Sequence, residues 1–409
     1  MRKLFAFIGL ATIICNSNAQ ITDCSGSRYY DSTFAVTVTP DVKYGENNAY
    51  NGALTELFMD IYEPTGDTAT VRPIIIFAPK GSFLSMDRKE TTMVELCTRF
   101  AARGYVTAAI DYRTGVDYMA VLTNAELEFT KAVLRAAHDY KAAIRFFRKD
   151  AYTTNTYKID TNIVIAGGSS AGAITALHVA YLDKYSEIPV GFDTTGLGGI
   201  EGNSGNPGYS SEPHIVVNLC GAIADSVWIE PGDMPLVSMH GNLDTEVPYG
   251  TATISLIIPI MEVDGSASIY QRTQHIGVEH SFYTFWGRTH IPYDENAGGS
   301  FPLYMDTVVD YVRNFLYNQL CGATSIKEVN YESVVMYPNP ATSMVNIGLP
   351  DSKSTIEVTI LDIRGNKLFG RKYKGEQNAI VDVSKLAVGV YFVTITSDQG
   401  KTTRKLVRE

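Results

Sequence analysis

The segment Thr161-Asn162-Ile163-Val164-Ile165-Ala166-Gly167-Gly168-Ser169-Ser170-Ala171-Gly172-Ala173 runs from apolar residues into a Gly-x-Ser-x-Gly turn and on into small, helix-compatible residues. A serine at so sharp a strand-to-helix turn projects its hydroxyl from the sheet edge, and the small residues beside it let the backbone turn without clash. Ser170 is therefore the candidate nucleophile for acyl transfer. The backbone N–H of Ala171, at the positive end of the following helix, is a candidate donor to an oxyanion. Such chemistry also needs a base, a carboxylate to orient the base, and a second N–H donor.

Behind a Gly-x-Ser-x-Gly turn the acid and the histidine follow the serine in that order. Leu236-Val237-Ser238-Met239-His240-Gly241-Asn242-Leu243-Asp244 reads as a strand ending in a glycine turn, which brings Asp244 to the same sheet edge as Ser170; Asp225 and Glu230 are the rival acids. Seven histidines are available, and His280, in Gly277-Val278-Glu279-His280-Ser281-Phe282, is expected to be the base because it follows the last expected strand directly. His290 lies further along an aromatic, glycine-containing loop, and His275 ends that expected strand. His138, His178, His214 and His240 read as structural, and His240 with Asp244 lacks the third partner of a metal site. The second oxyanion donor is expected from Phe77-Ala78-Pro79-Lys80-Gly81-Ser82-Phe83, through the N–H groups of Gly81 and Ser82.

These residues need a sheet edge, and the chain supplies one. From about residue 34 to 290, β-rich runs alternate with helical patterns, as in an α/β domain with a mostly parallel sheet. Eight strands are expected: Phe34 to Val42 and Leu57 to Tyr62 as an antiparallel pair, then Pro73 to Ala78, Val106 to Tyr112, Asn162 to Ala166, Ile215 to Leu219, Leu236 to His240 and Ser268 to His275. Helices are expected near 89 to 102, 126 to 150, 170 to 184, 249 to 262 and 304 to 319. Gly191 to Pro213, rich in Gly, Ser, Asn and Pro, reads as a long loop, either a substrate rim or plain surface. Trp228 and the cluster Phe282, Tyr283, Phe285 and Trp286 are candidates for an aromatic rim on a substrate site, or for packing. From Val334 onward, short alternating runs between turn residues predict a small antiparallel β-sandwich with no His or Cys.

Charge marks the same boundary. Residues 331 to 409 carry 11 Lys and Arg against 8 Asp and Glu, whereas residues 1 to 330 carry 23 against 36, so the body is acidic and does not suit nucleic acid. Arg2, Lys3, the apolar stretch Leu4 to Ile14 and Ser17-Asn18-Ala19 read as a secretory signal cleaved before Gln20, with Ile14 arguing against a lipid anchor on Cys15. No later apolar run approaches the ~20 residues of a membrane span. The expected organisation is a signal peptide over 1–19, a catalytic domain over 20–322, a linker over 323–333 and an appendage for location or binding over 334–409. Export leaves Cys24, Cys97, Cys220 and Cys321, compatible with two disulfides in any of three pairings, or with buried thiols. No cofactor or metal is expected.

The body, from about Thr33 to Leu320, resembles the α/β-hydrolase esterases of the hormone-sensitive lipase and bacterial carboxylesterase group. The resemblance rests on Met59-Asp60-Ile61-Tyr62-Glu63-Pro64, Gly81-Ser82-Phe83, Ile110-Asp111-Tyr112-Arg113, the turn around Ser170, His240-Gly241 leading to Asp244, and Glu279-His280. It implies Ser170 as nucleophile, Asp244 as acid, His280 as base, and Gly81, Ser82 and Ala171 as oxyanion donors. The chain departs from that family at Pro79-Lys80-Gly81, where His-Gly-Gly is usual, and Lys80 is expected to bias the site towards anionic or carbonyl-rich substrates. The tail, with Met336-Tyr337-Pro338-Asn339-Pro340, Leu361-Asp362-Ile363-Arg364-Gly365 and Leu386-Ala387-Val388-Gly389-Val390-Tyr391, is similar to the type A sorting domain of type IX secretion in Bacteroidetes. The expectation is a secreted or cell-surface serine esterase that engages the type IX machinery and cleaves extracellular polymer esters, such as acetyl or feruloyl groups on polysaccharide, or a polyester. A prolyl-oligopeptidase-type peptidase and a non-catalytic binding module are the alternatives.

Overall fold

The computed structural model describes residues 24, 26–189, 192, 194–256, 258–297, 301–322, 336–349, 355–362, 367–376, 378–397 and 400–409. The expected signal peptide and the expected linker lie outside the described residues. The chain divides into two compact units, Met1–Leu320 and Cys321–Glu409.

In the first unit β1 (Ala35–Asn48) and β2 (Leu54–Thr65) form an antiparallel pair at one edge of the sheet. There follow β3 (Arg72–Ala78), α1 (Thr91–Ala101), β4 (Val106–Ile110), the single turn α2 (Tyr118–Val121), α3 (Ala125–Tyr152), β5 (Ile159–Ser169) and α4 (Ala171–Tyr181). Then come β6 (Ile215–Leu219), β7 (Ala222–Ile223), β8 (Leu236–Gly241), β9 (Thr251–Ser255), β10 (Pro259–Gly265), α5 (Ser266–Ile276), β11 (His280–Phe285) and α6 (Phe301–Cys321). The 8-stranded sheet has the order β1-β2-β4-β3-β5-β6-β8-β11, and every pairing beyond β2 and β4 is parallel. Every residue of β3, β4, β6 and β8 is buried, which is why these strands read as near-continuous apolar runs rather than alternations. Residues of α3 such as Ala132, Ala136, Tyr140, Ala143 and Phe147 join Ile74, Ile76, Val106 and Ala166 in the main core.

The sheet has the expected number of strands, but one of them is a different segment. Residues expected as the eighth strand, Ser268 to His275, lie in α5, and the strand is His280–Phe285. The β-branched and aromatic residues of α5 favoured a strand, yet its buried positions Ser266, Ile269 and Thr273 recur at helical spacing. The expected helix over 249 to 262 is likewise the antiparallel pair β9 and β10, extended by β7.

Cys24 and Cys321 form a disulfide, whereas Cys97 and Cys220 are buried free thiols, so the second expected bridge is not made. Burial pushes the Cys220 thiol up to about 12, out of the reactive range.

The second unit is all β. One sheet has the order β12 (Met336–Tyr337), β13 (Met344–Gly348), β16 (Asn378–Asp382), and the other β15 (Lys367–Lys374), β14 (Thr355–Leu361), β17 (Gly389–Ser397), β18 (Gly400–Arg408). Alternate residues such as Ile356, Val358 and Ile360 point inward to meet Val345, Ile347, Val381, Val393 and Leu406 in a core of their own.

Candidate functional site

Ser170 closes the turn from β5 into α4 with φ 53° and ψ −119°, a conformation few side-chain-bearing residues adopt. The two glycines of the motif make that turn fit. A Cβ on Gly168 would stand 2.2 Å from the carbonyl carbon of Gly172, and one on Gly172 would stand 2.0 Å from the carbonyl oxygen of Ala78 at the end of β3. The elbow is thereby pressed against the start of the loop that carries Gly81 and Ser82. The N–H of Ala171, in the first turn of α4, has no partner within its own helix.

Asp244 lies in the turn after β8, its carboxylate fully buried. Its Oδ1 accepts the backbone N–H groups of Glu246 and Val247 at 2.9 and 3.0 Å, and its Oδ2 faces His240 Nε2 at 3.0 Å and His290 Nδ1 at 2.6 Å. Burial alone would raise this carboxyl, but the hydrogen bonds from His240 and His290 outweigh it and hold the group well below the usual carboxylate range. Across the same imidazole, His290 Nε2 lies 2.8 Å from Ser170 Oγ. An ionised carboxylate only accepts, so His290 carries its proton on Nδ1 and turns a bare Nε2 towards the serine hydroxyl.

The structure thus brings Ser170 and Asp244 together through His290, not through His280. His280 is the first residue of β11, its Nε2 2.8 Å from Ser238 Oγ and its Nδ1 3.0 Å from Thr273 Oγ1. The misreading follows from the displaced strand: once β11 is recognised as His280–Phe285, the loop after the last strand begins at Trp286, and the histidine on it is His290.

The hydrogen-bond directions around His280 can be assigned from one backbone group. Gly221 N–H donates to Asn218 Oδ1 at 3.0 Å, so the Asn218 amide nitrogen must be the donor to Ser238 Oγ at 2.9 Å and to Ser266 Oγ at 3.1 Å. Ser238 then donates to His280 Nε2, and Ser266 to His240 Nδ1 at 2.8 Å. His240 Nε2 faces two acceptors, Asp244 Oδ2 and the Val247 carbonyl at 3.1 Å, and so carries the proton. Asn218 therefore sits between two arms, one ending on Asp244 and one on a neutral His280. Neither Asn218 nor Ser266 carried a sequence signal beyond strand and turn composition.

In the loop after β3, Gly81 takes φ +137°, and a Cβ there would stand 2.0 Å from the Ser85 carbonyl oxygen, so this position is closed to other residues. Ser82 and Phe83 follow with left-handed φ of 55° and 61°. Lys80 does not face the substrate space. Its ammonium is held by Glu90, at 3.0 Å, and by Asp294, which corrects the expectation that its charge selects anionic substrates.

Ser82, Ser170, Ala171 and His290 open onto one cavity of about 120 Å³. Its walls are mostly apolar, with Phe129, Val133, Leu134 and Ile174 from α3 and α4, Ile254, Ile260, Met261 and Val263 from β9 and β10, and Trp228, and they also include Glu187 and Glu246. Of the expected aromatic rim only Trp228 is there. Phe282 packs on Tyr249 and Tyr270, Tyr283 on Tyr311, Phe285 on Tyr293 and Tyr304, and Trp286 is exposed.

The long loop before β6 is for the most part a strap. A basic stripe on α3 holds its backbone: His138 Nε2 at 2.8 Å from the Gly199 carbonyl, Lys141 to Ile200 at 3.2 Å, Arg145 to Gly205 at 3.0 Å and Arg148 to Ser210 and Glu212 at 2.8 and 2.7 Å. The spacing 138, 141, 145, 148 was legible as one helical face. Among the described residues of this segment, those that line the cavity are Glu187, Ile188 and Pro189, ahead of the strap.

Comparison with known proteins agrees with this fold. Residues 59–221 match the family described as BD-FAE, and residues 335–409 match the secretion system C-terminal sorting domain. No curated protein matches the chain. Among solved structures, esterase 2 of Thermogutta terrifontis phosphorylated by paraoxon is 19% identical with a TM-score of 0.51, over 70% of this chain and 94% of its own. Its apo form is also 19% identical, with a TM-score of 0.50 over 70% and 95%. At that identity the likeness speaks for the fold. Among the described residues no helix is long and apolar enough to cross a membrane, and the sorting domain goes with a secreted or cell-surface location. The chain combines an esterase-type α/β-hydrolase domain with a C-terminal type IX secretion sorting domain.

Proposed function

We propose that the chain is a carboxylic-ester hydrolase working through an acyl-enzyme on Ser170. The observation that carries this reading is the single imidazole of His290 set between Ser170 Oγ and Asp244 Oδ2. His290 Nε2 takes the serine proton as Oγ attacks the ester carbonyl, and Asp244 stabilises the imidazolium that forms. The N–H groups of Ala171 and of the Gly81-Ser82 turn receive the oxyanion. His290 then protonates the leaving alkoxide, and water releases the acyl group by the same route in reverse. In the test, a fluorophosphonate reagent adds one phosphonyl group, located on Ser170 by peptide mass analysis, and hydrolysis of p-nitrophenyl esters stops in proportion. Hydrolysis that survives complete labelling overturns the reading.

The apolar cavity narrows the substrate. It suits an acyl group with apolar bulk rather than acetyl, and the export signals point to esters outside the cell, on polysaccharide or in a polyester. Ile174, one turn beyond Ser170, lies in the cavity wall. Ile174→Trp is expected to lower kcat/KM for octanoyl or aryl esters by about 10- to 100-fold while acetyl esters change by less than about threefold. Equal losses on both would show that the acyl group lies elsewhere.

A further inference from the structure

The loop that carries His290 has little internal structure. From the end of β11 to Ala297 its own backbone bonds include Arg288 N–H to the Phe285 carbonyl at 3.3 Å and Asp294 N–H to that of Ile291 at 3.0 Å, with one short 3₁₀ turn over Glu295–Ala297, and Ile291 takes a left-handed φ of 47°. Its position depends on ties to neighbouring segments. At the near end Leu243 N–H donates to Arg288 O at 2.9 Å and Gly287 N–H to Asn242 Oδ1 at 2.5 Å, which fix the loop to the turn bearing Asp244. Beyond His290, Tyr293 OH lies 2.9 Å from Ser169 Oγ, next to the nucleophile. One residue further, Asp294 is paired with Lys80, whose ammonium also meets Glu90 Oε2 at 3.0 Å. Glu90 is the N-cap residue of α1, and Lys80 immediately precedes Gly81.

We infer that Lys80 is a positioning residue, a latch that holds the His290 loop in register with the oxyanion loop through Asp294. The inference rests on the ester-hydrolase reading. Both side chains are largely shielded, 24% and 12% exposed, so removing the ammonium leaves the Asp294 carboxylate poorly solvated beside Glu90, and the two carboxylates drive the segments apart. A displacement of about 1 Å at this distance from the chemistry is enough to cost about 10²-fold in rate. Neither Lys80 nor Asp294 lines the cavity, so ground-state binding is spared and the loss falls on kcat.

The test uses the full chain and p-nitrophenyl esters, with active sites counted by phosphonate titration. Lys80→Met and Asp294→Asn are each expected to lower kcat about 10²-fold with KM within about twofold. The double variant is expected to be no worse than either single one, because both remove the same tie. Lys80→Arg, which keeps a cation in place, is expected to stay within about fivefold of the wild type. A Lys80→Met protein with wild-type kcat, or single losses that multiply in the double variant, overturns the latch while leaving the ester-hydrolase reading standing. A wild-type protein that hydrolyses no ester overturns that reading, and the latch with it.

Discussion

His290→Gln lowers kcat for ester hydrolysis by about 10⁴- to 10⁶-fold, whereas His280→Gln leaves it within about tenfold. The difference follows from what each imidazole touches. His290 stands between Ser170 Oγ and Asp244 Oδ2, and no other described side chain is placed to take the serine proton. His280 is bonded to Ser238 and Thr273, and burial pushes it down to about 3, so it stays neutral throughout the working range. A glutamine there can keep the Ser238 bond through its carbonyl, and Thr273 Oγ1 still has the Tyr270 carbonyl at 2.9 Å. His280 instead affects acid stability. In the unfolded chain its imidazole titrates near 6.5, so as pH falls from about 6.5 towards about 3 the unfolded state binds a proton that the folded state refuses, and stability drops. His280→Gln should flatten that part of a denaturation-against-pH curve. If His280→Gln rather than His290→Gln abolished turnover, the assignment of the base would be wrong.

Much of this was legible from the chain alone because the decisive signals were local. Gly168, Ser170 and Gly172 announce the elbow through a steric demand that no larger residues satisfy. The buried central strands announce themselves as near-continuous apolar runs, and the alternation of β14 gives the tail's sandwich. Asp244 was legible because a strand and a glycine turn precede it directly. The base was not, because its placement depended on where the last strand ended. In the stretch from Tyr249 to Phe285 local preference and tertiary fit disagree: β-branched and aromatic residues of α5 look like a strand, and the β9–β10 hairpin, which builds one wall of the cavity, carries few buried positions to show its period. The partners of Lys80 were equally hidden. Asp294 is distant from it in sequence, and a charge beside a glycine loop looks like a substrate contact until the carboxylates that hold it are seen.

Asp244→Asn is expected to lower kcat by about 10⁴-fold and also to destabilise the fold, and the reason for the double effect lies in the fixed directions of the surrounding bonds. On one side the N–H groups of Glu246 and Val247 require an acceptor. On the other, His240 Nε2–H is shared between Asp244 and the Val247 carbonyl, and this nitrogen cannot turn into an acceptor, because Ser266 donates to Nδ1 and the Val247 carbonyl faces Nε2. An asparagine has one oxygen for these two sides. If the oxygen stays with the backbone, its NH₂ confronts His240 and His290; if the amide flips, the NH₂ confronts Glu246 and Val247. In the first arrangement His290 accepts at Nδ1, its proton moves to Nε2, and the imidazole presents Ser170 with a donor instead of a base. Either arrangement leaves a buried donor unpaired, at a cost of about 1–3 kcal/mol, visible as a lower denaturation midpoint. A site that needed Asp244 only for its charge would lose rate and keep its stability; a variant that keeps kcat within tenfold would remove Asp244 from the mechanism altogether.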